Sequence, residues 1–190
     1  MNIGLFFGSF NPIHTGHMII ANLVKETTEI DEVWFVVSPQ NPFKKNKNLL
    51  HEFDRLDLVR AAIADDYSFR AVDVEVNMPR PSYTIDTLTF LQEKYPEKNF
   101  YLIIGEDNLM AFPRWKNHDK ILEHFNLIVY PRPHSEKSPL LEHERIKMIE
   151  APEVEISATL IRKLIKNGCS VKYLVPDAVE AMIRQKKFFE

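Results

Sequence analysis

The chain has 190 residues, 45% of them hydrophobic and 27% charged, the balance of an ordinary globular protein able to bury one sizeable core. A formal net charge of −3 argues against general affinity for nucleic acid or anionic membranes. No apolar run approaches the roughly 18 residues of a membrane span. The single cysteine, Cys169, has no partner for an internal disulfide, so a cytoplasmic protein is expected.

In chain order, short apolar runs alternate with longer amphipathic ones. The opening Met-Asn-Ile-Gly-Leu-Phe-Phe has no basic n-region or cleavage site and reads as a strand rather than a leader. Residues 3–7, 33–37, 70–74, 100–104 and 127–130 are strand-like, being short, β-branched or aromatic, and bounded by turn residues. Between them, residues 16–28, 52–65 and 82–95 place apolar side chains at helical spacing. In the second of these, Phe53, Leu56, Val59, Arg60 and Ile63 form the inward stripe, with Asp54, Asp57 and Asp65 facing away. Residues 38–48, with two prolines and three lysines, read as a mobile loop leaving a strand's carboxyl end, and residues 131–139 as a second loop. Residues 140–150, 159–167 and 177–187 read as helices. The alternation predicts an α/β fold, a Rossmann-like open parallel sheet with helices on both faces and a small C-terminal helical cap. One domain spans residues 1–190, with the core in 1–135 and the helical part in 136–190.

The most informative stretch is Gly8-Ser9-Phe10-Asn11-Pro12-Ile13-His14-Thr15-Gly16-His17, between the first strand and the first helix. In an open parallel sheet, helix N-termini at the strand ends offer free N–H groups and positive dipole to an anion. Gly8 allows a sharp turn and Gly16 a close helix start, while His14 and His17 share a face of the first turn. An isolated His-x-x-His is usually a surface feature; its setting here points to phosphate handling. No third ligand cluster supports a metal reading, so no metal site is expected, and neither dinucleotide nor Walker glycine patterns are present. The second informative stretch is Ile156-Ser157-Ala158-Thr159-Leu160-Ile161-Arg162. Ser157 caps a helix, leaving the Thr159 hydroxyl and the Arg162 fork for phosphate oxygens, though alone this is an ordinary capped helix. Gly105 and Asp107 follow the strand at 100–104. Asp107 reads equally as a helix cap or a ribose partner, Trp115 as core or as a ring-stacking face, and Tyr83-Thr84 as a plain helix entry or a carboxylate hole.

The first stretch resembles the Gly-x-Phe-x-Pro-x-His-x-Gly-His signature of the nucleotidyltransferase superfamily, and the second its Ile-Ser-Ser-Thr-x-x-Arg motif. Within that superfamily the chain is similar, over its whole length, to the bacterial nicotinate-mononucleotide adenylyltransferases. Ser82-Tyr83-Thr84-Ile85-Asp86-Thr87-Leu88, Gly105-Glu106-Asp107, Trp115 and Pro42-Phe43-Lys44 carry that narrower likeness. Ala158 departs from the usual second serine, and Asn41-Pro42-Phe43-Lys44 from a Pro-Pro-His-Lys-like stretch, so Lys44 is the expected match with Lys45 and Lys47 as alternatives.

The resemblance implies transfer of AMP from ATP, with Mg²⁺, to nicotinate mononucleotide, giving nicotinate adenine dinucleotide and pyrophosphate. It implies that His14, His17, Lys44 and Arg162 act on the triphosphate, His17 at the α-phosphate. ATP would also meet Gly8, Ser9, Phe10, Gly16, Gly105, Asp107, Ser157 and Thr159. Nicotinate mononucleotide would meet Tyr83, Thr84, Asp107, Trp115, Lys116 and, through its phosphate, Arg132. The resemblance implies no nucleic-acid or membrane partner and is compatible with a homo-oligomer. Rival readings are a related transferase acting on nicotinamide mononucleotide, phosphopantetheine or a cytidylyl acceptor, a non-catalytic nucleotide sensor, and a Rossmann dehydrogenase lacking its glycine fingerprint.

Overall fold

The computed structural model describes residues 1–39, 49–133 and 135–190. Among them lie six strands: β1 Asn2–Gly8, β2 Glu32–Val37, β3 Phe69–Val72, β4 Asn99–Gly105, β5 Asn126–Tyr130 and β6 Ile146–Met148. They form one sheet in the order β3-β2-β1-β4-β5-β6, every neighbouring pair parallel. The helices are α1 Thr15–Thr27, α2 Glu52–Ala62, α3 Thr84–Lys94, α4 Glu106–Ala111, α5 His118–His124, α6 Ala158–Lys166 and α7 Asp177–Lys186.

A parallel sheet buried on both faces needs consecutive apolar residues in its strands, and alternation sends them to opposite sides. Phe6, Val33, Phe35, Val37, Ile103 and Ile128 pack with α1, α2, α6 and α7 on one face. Leu5, Trp34, Val36, Leu102, Ile104 and Val129 pack with α3, α4 and α5 on the other. Register keeps like with like: Phe6 pairs with Phe35 on β2 and with Ile103 on β4. Each fully buried large side chain, Phe35 or Leu102 for example, stabilises the fold by roughly 1.5–3 kcal/mol.

Three expectations change. Residues 140–150 do not form a helix: Ser138 caps a single 3-10 turn, Pro139–Glu142, and the chain then supplies β6 to the sheet. The apolar pair Leu140-Leu141 imitates helical rhythm, whereas β6 is three residues with one buried side chain, too short for a period to register. Second, α4 and α5, of six and seven residues, fill a stretch where no helix was expected, again because neither is long enough to show a stripe.

Third, the inward face of α2 is only partly the one anticipated: Leu56, Val59 and Ile63 are buried as expected, but Arg60 is exposed. Phe53 stands half exposed, stacked on His51, while Arg55 is fully buried beside Leu56, Leu58 and Val59. Asp54 and Asp57, expected to face solvent, receive Lys186 of α7 at 3.3 and 3.7 Å.

In this order β1 has β2 on one side and β4 on the other, and the chain's crossovers diverge between β1 and β4. The carboxyl ends of those two strands, Gly8 and Gly105, border the crevice in which an open parallel sheet takes its ligand.

Candidate active site

A cleft of about 490 Å³ opens beyond Gly8 and Gly105. Ser9, His17, Tyr83, Thr84, Asp107, Trp115, Lys116 and Arg132 share its walls, so most of the expected site residues are brought together. His14, Gly16, His17 and Arg132 also line a narrower crevice running between α1 and residues 152–156.

The turn after β1 is made differently from expectation. Gly8 keeps an extended strand conformation, and the left-handed residue is Phe10, at φ 43°. That conformation costs a non-glycine residue about 1–2 kcal/mol. Burying the Phe10 ring against Phe6 and Phe35, at centroid distances of 6.0 and 5.5 Å, returns a similar or larger amount. Gly8 is needed because that ring folds back over it; a Cβ on Gly8 would lie 2.7 Å from Phe10. Phe10 thus supports the turn from the core, and its side chain does not reach the cleft.

His14 is the N-cap of α1 and is buried; its ring stacks on His17 at 3.7 Å between centroids, with 24° between planes. His17 Nδ1 accepts the His14 backbone N–H at 3.2 Å. An accepting Nδ1 leaves the neutral ring's only N–H at Nε2. Burial, then the neighbouring His14 and Arg132, hold the His17 pKa well below its usual value. Burial and, less strongly, Arg132 lower that of His14 to about 4. Both rings are therefore neutral at pH 7, and His17 is a donor of fixed tautomer. At Gly16 an added Cβ would lie 3.1 Å from His14 Nδ1, which explains the small residue.

Among the described residues, two buried polar atoms at this spot, His14 Nδ1 and Arg132 Nε, have no hydrogen-bond partner. A buried unsatisfied polar group costs about 1–3 kcal/mol, and such groups in a cleft call for an explanation. Arg132 has Asp107 at 3.7 Å and lies over the Tyr130 ring, so its charge is only loosely compensated. The place where phosphate was expected is thus a cationic, donor-rich wall at a helix start. The first turn of α1 is partly committed elsewhere, since Thr15 donates its N–H to the Leu174 carbonyl at 2.9 Å.

Ser157 caps α6 as expected, accepting the Leu160 N–H at 3.2 Å. Arg162 donates to the Asn11 carbonyl at 2.8 Å and to the Thr159 hydroxyl at 3.2 Å. The C-terminal motif is thereby tied to the N-terminal one, but Ser157, Thr159 and Arg162 line neither hollow. Lys44, Lys45 and Lys47, with most of the 38–48 loop, lie outside the described residues.

At the opposite end of the cleft Tyr83 is the N-cap of α3. Asp86 and Thr87 close their N–H groups onto the Tyr83 carbonyl, so the Tyr83 and Thr84 N–H groups lie ahead of the helical ladder. Trp115 packs on Phe112 at 5.4 Å and borders the cleft. Lys116 lies over the Tyr83 ring at 4.6 Å and pairs with Asp86 at 2.9 Å.

Two polar residues escaped the sequence reading. Arg55 donates from Nη1 to the Ser9 and Ser38 carbonyls at 2.6 and 2.8 Å, from Nη2 to Pro39 at 3.0 Å, and from Nε to Leu50 at 2.9 Å. Its signal was an arginine three and four residues before the apolar Leu58 and Val59, on the inward stripe. Glu75, in the 3-10 turn Val74–Asn77, is buried on the wall of the cleft, and nothing in its sequence neighbourhood distinguished it. Among the described residues no group of three or more His, Cys, Asp or Glu side chains is arranged to hold a metal ion, and no helix is long and apolar enough to cross a membrane.

Comparison with known proteins agrees with this geometry. The cytidylyltransferase-like family model matches residues 5–164. The Cytophaga hutchinsonii protein named "Probable nicotinate-nucleotide adenylyltransferase" is 60% identical, covering 100% of this chain and 98% of its own. The Flavobacterium psychrophilum protein of the same name is 44% identical with both chains fully covered. A solved structure of Plasmodium falciparum nicotinic acid mononucleotide adenylyltransferase, complexed with NaAD, superposes with a TM-score of 0.82 at 20% identity, covering 99% of this chain and 97% of that one, and shares the fold. With the cleft at the β1–β4 crevice, both motifs joined by Arg162, and full-length identity of this order, the chain belongs to the nicotinate-nucleotide adenylyltransferase family of cytidylyltransferase-like proteins.

Proposed function

We propose that the protein joins the AMP moiety of ATP to nicotinate mononucleotide, giving nicotinate adenine dinucleotide and pyrophosphate. The observation that carries this reading is the neutral, tautomer-fixed His17 beside two unpartnered buried polar atoms, facing a cleft whose far wall is Tyr83, Thr84 and Trp115.

A phosphate monoester has its second pKa at about 6 and is mostly dianionic at neutral pH. The acceptor's phosphate oxygen therefore attacks the α-phosphorus directly, and no general base is needed. A new P–O bond forms, and the bond to the β-phosphate bridging oxygen breaks, its electron pair leaving with pyrophosphate. What the chain supplies is alignment and neutralisation of charge. His17 Nε2–H serves the α-phosphate, and His14 and Arg162 the rest of the triphosphate, with Lys44 from the 38–48 loop. Gly8, Ser9, Phe10 and Gly16 give the triphosphate close backbone approach, and Ser157 and Thr159 orient Arg162. Gly105 and Asp107 serve ribose, Arg132 the acceptor phosphate, and Tyr83, Thr84, Trp115 and Lys116 the pyridine end. Mg²⁺ would come with the triphosphate, which together with water would supply most of its oxygen ligands.

The test is pyrophosphate release from Mg²⁺-ATP with nicotinate mononucleotide, nicotinamide mononucleotide and phosphopantetheine as acceptors. Nicotinate mononucleotide is expected to give the highest kcat/KM. Fastest release with phosphopantetheine, or none with any pyridine mononucleotide, would refute the reading.

A further inference from the structure

The cleft wall holds a buried carboxyl to which the reaction assigns no task. Glu75 is 3% exposed and sits on the wall shared with Ser82, Tyr83 and Thr84. Its Oε1 accepts the hydroxyl of Thr87 at 2.9 Å, and that hydroxyl also lies 3.4 Å from the carbonyl of the N-cap Tyr83. Thr87 is fully buried in α3, and Ser82, which immediately precedes Tyr83, lines the cleft beside the carboxyl. The carboxyl thus ties the 3-10 turn Val74–Asn77 to the start of α3, through the one side chain that also reaches the Tyr83 carbonyl.

From this geometry we infer that Glu75 is the positioning residue of the acceptor wall, fixing the Ser82–Thr84 turn so that the Tyr83 and Thr84 N–H groups converge on the acceptor's ring substituent. The inference rests on the nicotinate reading given above and deepens it. Lys116 and Trp115 border the same wall from the far side of Tyr83, but neither bonds the turn itself; Lys116 is taken by Asp86. Without the carboxyl, the Thr87 hydroxyl is left with the Tyr83 carbonyl at 3.4 Å and the Met78 sulfur at 3.6 Å, weaker partners for holding the helix entry. Burial raises the Glu75 pKa. A glutamine can take its place, because the amide oxygen still accepts from Thr87.

The experiment is steady-state kinetics with ATP and nicotinate mononucleotide varied separately, on the wild type, Glu75→Gln, Glu75→Ala and Thr87→Val. Glu75→Ala should raise KM for the mononucleotide roughly tenfold, the equivalent of one misplaced hydrogen bond. Its KM for ATP and its kcat should stay within about twofold, as expected for lost uniform binding at one substrate. Glu75→Gln should stay near wild type, and Thr87→Val should shift the same constant in the same direction by a smaller factor. A purely structural role would move both KM values together, and that result would overturn the proposal. So would an unchanged mononucleotide KM in folded Glu75→Ala, or a Glu75→Gln as impaired as the alanine variant. If Glu75→Ala does not fold, Thr87→Val decides alone by the same split between the two KM values. A wild type inactive on nicotinate mononucleotide overturns the function and this role with it; an active wild type with an indifferent Glu75→Ala overturns only the role.

Discussion

The two histidines of the N-terminal motif are kept neutral by burial and by a cation, and this has a consequence for stability that their proposed chemistry does not require. His14 ionises near 6.5 when exposed and only at about 4 in the fold. Between those values the unfolded chain binds a proton that the folded chain refuses, so stability falls as the pH drops from about 6.5 to about 4 and is unaffected above that window. A shift of this size corresponds to roughly 3 kcal/mol at the acid end. His14→Asn keeps a good helix cap and removes the titration. Chemical denaturation should therefore find the variant gaining on the wild type as pH is lowered from 7 toward 4; parallel pH profiles would exclude a depressed His14. His17 is tested through turnover. His17→Asn retains an oxygen to accept the His14 N–H but cannot place a donor where Nε2 stands. It should fold normally and lose roughly 10²- to 10³-fold in kcat, the usual cost of one preorganised donor to a developing oxyanion. Near-native kcat in the folded variant would remove His17 from the chemistry.

At the scale of elements, Arg55 shows how a helix can anchor chain segments that have no secondary structure of their own. Its guanidinium is spread over four carbonyls, those of Ser9, Ser38, Pro39 and Leu50, so α2 holds the turn after β1 and the chain on both sides of residues 40–48. Burial lowers its pKa to about 10, which still leaves it charged at neutral pH. Arg55→Met strands these carbonyls, and a loss of at least about 2–4 kcal/mol is expected from groups of this kind left unsatisfied. Arg55→Lys should recover little, because an ammonium has three donors and no planar fork. Denaturant titration checks both, and full recovery by lysine would mean the fork is unimportant. Arg55 also marks where sequence reading runs short. The strands of the sheet were legible because two-sided burial demands unbroken apolar runs, and α1, α3, α6 and α7 because each is long enough to show a stripe. β6, α4 and α5 were not, being only three to seven residues long. The His14–His17 turn and the capped α6 were legible as chemistry because their residues are contiguous. Arg55 and Glu75 act on partners 5–46 and 12 residues away, and a pattern within a window cannot show that.

On the scale of the whole molecule, the sheet brings His17 and Arg132 into one cleft with Tyr83, Thr84 and Trp115; on the proposed function, discrimination between acceptors would be settled at the latter end. Nicotinate and nicotinamide mononucleotides have nearly the same shape and differ in carrying a carboxylate or a neutral amide. The Tyr83 and Thr84 N–H groups would make charge-assisted hydrogen bonds to the acid and would face the amide's own NH₂ in the wrong substrate. Glu75 lies on this wall, a carboxyl that the sequence alone did not anticipate there. Burial raises its pKa, and its Oε1 is engaged by the Thr87 hydroxyl. On the proposed function the Tyr83 and Thr84 N–H pair would still favour the acid. A mismatch of this kind is worth about 2–4 kcal/mol, which is on the order of 10² to 10³ in kcat/KM. On the proposed function Trp115 would act differently, because its ring, backed by Phe112, would stack on the pyridine equally in ground and transition states. Trp115→Ala should raise KM for both mononucleotides with a smaller effect on kcat, and should leave the ratio between the two acceptors nearly as it was. Measuring kcat/KM for both substrates in wild type and Trp115→Ala separates the two effects. Equal wild-type efficiency on acid and amide would remove the carboxylate hole from this site, and a Trp115→Ala that lost the preference would move discrimination from the α3 entry to the stacking ring.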